Sequence, residues 1–133
     1  MKKEKGSVLI MTVFAIGLLS ILITGMMVVL SSEIHTASQD AWARQAGYVA
    51  ETAIAESMYQ LTLNDDWDTG FTNESFDSNQ HYSALIINNK PQVTIQASGT
   101  AHGITRQIET SLVIIDKAPD GKFKLRVDSW EEL

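Results

Sequence analysis

The sequence contains no cysteine, so no disulfide can brace it and no thiol is available as nucleophile or metal ligand. Its histidines, His35, His81 and His102, stand far apart and without metal-ligand spacing. There is no glycine-rich phosphate loop and no serine in a glycine-flanked elbow. Glu51 and Glu56 are five residues apart, so on a helix they do not share a face as a carboxylate pair. With these signatures of catalysis missing, we expect a protein that is not an enzyme and that carries no cofactor and no metal.

Cations are scarce as well. Residues 1–6 hold three lysines and one glutamate, about +2, which leaves the other 127 residues near −8 within a total of −6. Phosphate recognition needs clustered Lys and Arg, so nucleic acid is not an expected partner.

The most consequential absence is of charge between Ser7 and Ser32. Those 26 residues are dominated by Leu, Ile, Val, Met and Phe, relieved by Thr12, Ser20, Thr24, Gly17 and Gly25. At about 1.5 Å per residue a helix of this length spans roughly 39 Å, enough to cross a hydrocarbon core of about 30 Å with some tilt. A secretory signal has an apolar core of roughly 7–15 residues and a small-residue cleavage site. This run is much longer, and Val29-Leu30-Ser31 is a poor site. The basic residues before it predict a cytoplasmic N-terminus and a single pass through the cytoplasmic (inner) membrane, with membrane lipid as one partner.

Beyond Ser32 the helical pattern persists but narrows to one stripe: Trp42, Ala46, Val49, Ala50, Ala53, Ile54, Ser57, Met58 and Leu61 recur at spacings of three and four. No proline or turn signal intervenes, so one helix is expected from about Ser7 to Thr62. Its second half is amphipathic and needs a soluble cover.

Residues 64–80, rich in Asn, Asp, Ser and Gly, are expected to form an acidic loop pinned by Trp67, Phe71 and Phe76. Asn64-x-Asp66-x-Asp68 loosely matches a calcium loop, but Gly70 falls one place late and Ser75 stands where a bidentate glutamate belongs, which favours a solvated turn. Asn73-Glu74-Ser75 matches a glycosylation acceptor, a tripeptide common by chance.

From His81 the period becomes two. Strands are expected at Tyr82–Ile87, Gln92–Ala97, Ile104–Ile115 and Phe123–Asp128, with reversals at Asn88–Pro91, Gly99–Gly103 and Asp116–Gly121, and with Trp130 closing the sheet. The expected fold class is α+β: a long N-terminal helix, half transmembrane and half amphipathic, packed on an antiparallel sheet of about four strands. The expected organisation is a leader at 1–6, a transmembrane or filament-core helix at 7–32 and an extracytoplasmic domain at 33–133. Within that domain the helix runs to about 62, the acidic loop spans 64–80 and the sheet 82–130. Trp42, Ala46, Val49, Ala53 and Leu61 are the expected helix–sheet contacts.

A basic leader ending in glycine, an apolar helix, its amphipathic continuation and then a sheet together resemble the type IV pilin superfamily. Arg44-Gln45-Ala46-Gly47-Tyr48-Val49-Ala50-Glu51-Thr52-Ala53-Ile54-Ala55-Glu56 is similar to a stretch of minor pilins of the PilX type, with Ala50-Glu51 and Leu61 at the matching places. Val93–Thr100 followed by Gly103-Ile104-Thr105-Arg106 looks like the sheet hairpin of such proteins. The resemblance implies cleavage by a prepilin peptidase between Gly6 and Ser7 and N-methylation of Ser7. It also implies an inner-membrane assembly platform and other pilins or pseudopilins as partners of the N-terminal helix, in a pilus, secretion or DNA-uptake filament outside the membrane. Gly17 and Gly25 would allow neighbouring helices to approach closely.

Two departures matter. Where the family carries Phe and Glu, this sequence has Ser7 and Met11. In the family that glutamate is held to match the N-terminal amine of a neighbour within an apolar filament core, and a buried charge without its partner costs several kcal/mol. The absence of a carboxylate at Met11 implies a minor subunit, suited to a filament tip or to priming assembly. The alternative is an unprocessed, single-pass membrane-anchored binding module with an extracytoplasmic domain.

Overall fold

A computed structural model describes residues 2–133, with side chains described from Gly6 onward. Apart from Gly6, the expected basic leader therefore lies outside the described residues or has side chains that do. The elements are a helix α1 (Lys2–Leu63) and five strands, β1 (Phe71–Asp77), β2 (Gln80–Asn89), β3 (Gln92–Ala101), β4 (Ile104–Lys117) and β5 (Phe123–Glu132). The fold is α+β, one long N-terminal helix packed on a five-stranded antiparallel sheet in the order β1-β2-β3-β4-β5. The chain divides into two compact units, one ending at Gln39 and one running Asp40–Leu133. That division falls later than the change of pattern at Glu33, because Glu33–Thr36 and Ile34 among them remain exposed.

In the first unit the three hydroxyls inside the apolar run are satisfied within the helix. The hydroxyls of Thr12, Ser20 and Thr24 donate to the carbonyls of Val8, Ile16 and Ser20, each at 2.8 Å. Such back-bonding gives these three donors partners on an otherwise apolar surface.

In the second unit the amphipathic stripe is buried as its spacing predicts. Ala46, Val49, Ala50, Ala53, Ile54, Ser57 and Leu61 are all at most 2% exposed. The Ser57 hydroxyl, buried among them, donates to the Ala53 carbonyl at 2.7 Å. The helix ends where Asn64 turns the chain: its side-chain Oδ1 accepts from the Asp66 N–H at 3.1 Å and its carbonyl from the Trp67 N–H.

The sheet opposes this stripe with Ala84 and Ile86 of β2, Val93, Ile95 and Ala97 of β3, and Ile108 and Leu112 of β4. Registers Ile86↔Ile95, Ala84↔Ala97, Val93↔Leu112 and Ala97↔Ile108 set these side chains side by side on one face. Burying an aliphatic side chain the size of Ile54, Leu61, Ile95 or Leu112 stabilises by roughly 1.5–3 kcal/mol relative to exposure.

Three expectations are corrected. The sheet has five strands rather than four, because Phe71–Asp77, expected within the acidic loop, forms β1. Only Phe71 of that strand is even partly buried, and its pairing with β2 is broken by two register shifts, so its sequence carries no alternation. The reversal placed at Gly99–Gly103 is tighter: His102 and Gly103, with φ of 50° and 82°, make the turn, while Gly99 sits inside β3. Trp130 does not close the sheet, since β5 runs on to Glu132 and Trp130 is 49% exposed.

Candidate membrane and assembly surface

The expected functional residues lie on the first unit's helix. Between Val8 and Leu30, seventeen large apolar side chains are each 49–73% exposed, Met11 the most so. A soluble surface rarely leaves so long an apolar tract uncovered. The stretch is long and apolar enough to cross a membrane, by length and composition, and none of it is buried within the chain.

Ser7 and Met11 are four residues apart on α1, so they share a face one turn apart. Met11 brings no charge to that face, and the described residues from Ser7 to Ser32 contain no carboxylate that could replace one. Side chains added at Gly6, Gly17 or Gly25 would meet nothing within 4 Å, so these glycines answer no packing need inside the chain. Ser20, Ile21, Thr24 and Val28 border a shallow apolar hollow at Gly25.

The helix–sheet residues sit in the second unit. Ala46, Val49, Ala53 and Leu61 are buried, whereas Trp42 is half-buried and stacks on His102, ring centroids 5.2 Å apart and planes 23° apart. One residue central to this contact was misplaced by sequence reasoning. A Cβ at Gly99 would fall on the backbone of Ala46 and Ala50, so Gly99 is what lets the helix lie directly on β3. The inward positions of β3 read Val93, Ile95, Ala97, Gly99, Ala101, and that taper toward small side chains was the available signal.

The loop that loosely matches a calcium site is held by a cation of the chain itself. Lys90 Nζ lies 2.6 Å from Asp65 Oδ2 and 2.6 Å from Asp66 Oδ1, and the Asn88 side chain donates to the Asp65 carbonyl at 2.8 Å. Hydrogen bonds to Asp65 and then Asp66 raise the Lys90 pKa above its ordinary value, so the ammonium persists throughout the neutral range. Among the described residues no group of three or more His, Asp or Glu is placed to hold a metal ion. Asn73 of the glycosylation tripeptide is exposed at φ 50°, in an irregular part of β1. The histidines remain dispersed over α1, β2 and the β3–β4 turn.

No family model, no curated protein and no solved structure matches this chain.

Proposed function

We propose that the chain is a pilin-like subunit of the minor or pseudopilin kind, anchored by the apolar half of α1 and displaying the Asp40–Leu133 unit outside the membrane. The observation that carries this reading is the contrast within one helix. From Ala46 to Leu61 the chain covers its own apolar stripe, while from Val8 to Leu30 the described residues provide no cover. A helix of that kind suits a molecule that exchanges lipid for the helices of neighbouring subunits.

In this reading the basic leader keeps the N-terminus cytoplasmic, a prepilin peptidase cuts between Gly6 and Ser7, and Ser7 is N-methylated. An assembly platform then draws the helix from the bilayer into a filament of other pilins. Gly17 and Gly25 admit close helix contacts, and internally bonded Thr12, Ser20 and Thr24 keep the surface compatible with lipid and with protein. Met11 offers no partner to a neighbour's amine, so the subunit is suited to the tip or to priming and is not a self-sufficient shaft unit.

The test is co-expression with a prepilin peptidase and intact-mass analysis of protein recovered from membranes. The expected product begins at Ser7, is methylated, and is lost in Gly6→Val. Recovery of the uncut chain from membranes where the peptidase is active would favour an unprocessed anchor instead.

A further inference from the structure

The face of the sheet turned away from α1 holds an open trough. Because Ala84, Ile95, Ala97 and Ile108 face the helix, the alternation sends Ser83 and Leu85 of β2, Gln96 and Ser98 of β3 and Gln107 of β4 to the other side. Registers Ser83↔Ser98 and Ser98↔Gln107 make one row of hydroxyl, hydroxyl and carboxamide, and Leu85↔Gln96 begins the next. With Thr69 and Thr72 on one rim and Leu133 on the other, these residues line a volume of about 490 Å³. Gly70 closes the first rim: at φ 66° it lies so near β2 that a Cβ would fall on the Ala84 carbonyl. At the second rim the Leu133 N–H donates to the Gln107 carbonyl at 2.9 Å.

No ionisable side chain among the described residues lines this trough, in a chain where Asp, Glu, Lys and Arg make up 20% of the sequence. Glu109 and its cross-strand neighbour Glu131 stand outside the lining, and Gln96 Nε2 holds Glu109 Oε2 at 2.7 Å. A phosphate or a basic peptide would find no counter-charge here. An apolar ligand would strip water from hydroxyls and carboxamides without replacing their hydrogen bonds. The lining has no Trp, Tyr, Met or Arg, the residues that anchor protein partners. The Phe71 ring is taken up by Trp67 and Tyr82, with centroids 5.3 and 5.7 Å away.

We propose that the trough binds a neutral glycan, its hydroxyls bonded to Ser83, Ser98, Gln107 and Thr72 and a ring C–H face lying on Leu85. Leu85 is 57% exposed and is the one large apolar side chain that the alternation turns to the trough floor. The Ser83 hydroxyl accepts from the Asn73 N–H at 2.9 Å and keeps its proton to donate. Neighbouring strands lie about 4.8 Å apart, so Ser98 and Gln107 reach opposite sides of one sugar ring. The proposal goes beyond the pilin-like reading and depends on neither cleavage at Gly6 nor a filament.

The test uses the full-length chain in phosphocholine micelles, which carry no sugar headgroup. Cellohexaose, chitohexaose and mannohexaose are titrated by calorimetry, with polygalacturonate and pentalysine as charged comparators. Saturable binding of one or more of the neutral oligomers is expected, changing less than about twofold between low and high salt because no ion pair is involved. Ser98→Ala with Gln107→Ala should weaken it about tenfold, the worth of one or two hydrogen bonds, with the urea midpoint unmoved. Leu85→Asp, at an exposed position, should abolish it. Tyr48→Ala, on α1 and outside the trough, should leave it unchanged. No binding of any neutral oligomer, binding of a charged comparator alone, or an affinity indifferent to the trough substitutions would overturn the proposal. The readout requires neither peptidase nor filament, so its failure is distinguishable from failure of the pilin-like reading.

Discussion

Two stretches of one helix answer the same chemical problem in opposite ways. Between Ala46 and Leu61 an aliphatic stripe lies on one face, and the chain's own sheet removes it from water. Between Val8 and Leu30 apolar residues occupy every side, and nothing among the described residues covers them. A stripe of period 3.6 asks for one partner on one side, which a small sheet can be. An all-round apolar cylinder asks for cover on every side, and the described residues supply none. The first stretch specifies the fold, and the second is long and apolar enough to cross a membrane.

Truncation at matched chemistry should separate the two most strongly. Leu61→Ala removes a fully buried side chain and is expected to cost about 3–4 kcal/mol in urea unfolding of the detergent-solubilised protein. Leu19→Ala, at a position 57% exposed, should leave that unfolding curve where it was. Charge insertion reverses the asymmetry: Leu19→Arg is expected to cost about 3 kcal/mol of membrane insertion, read as release of the chain by alkaline carbonate, with the folded domain unaffected.

Glycine gives a finer contrast. Gly99→Ala forces the helix away from β3 and should destabilise the domain by about 2 kcal/mol, while Gly17→Ala, whose added carbon meets nothing, should not move the domain's melting temperature. The smallest effect concerns Thr110, fully buried with a hydroxyl that has no hydrogen-bond partner. Thr110→Val keeps the shape, removes the orphaned hydroxyl, and should stabilise the domain by about 1 kcal/mol, checked by the same urea curves.

The parts of the fold legible in the sequence are those where burial imposes a period. The stripe from Ala46 to Leu61 and the alternation Val93, Ile95, Ala97 could be read because the buried inward positions are apolar, Ser57 excepted. β1 could not be read, because an edge strand exposed on both faces is held by backbone pairing, which leaves no side-chain signature in Thr72-Asn73-Glu74-Ser75. Gly99 was taken for a turn residue because glycine serves turns and close approaches alike, and only the neighbouring helix tells them apart. Val127 shares the inner face with its partner Leu112 as its alternation suggests, yet it remains 46% exposed, because its burial depends on cover that the strand's own pattern does not encode. Of the candidate surface, its extent and its lack of any carboxylate between Ser7 and Ser32 were legible.

The central claim is that the Val8–Leu30 surface is covered by something other than this chain. The cysteine-free sequence allows it to be measured by labelling single-cysteine variants in intact membranes with a membrane-impermeant maleimide. Ile16→Cys, Leu19→Cys and Ile23→Cys should stay unlabelled until detergent is added, while Tyr48→Cys, 66% exposed in the second unit, should react at once when the reagent has access to the displayed side. Equal labelling of all four before detergent would contradict the account.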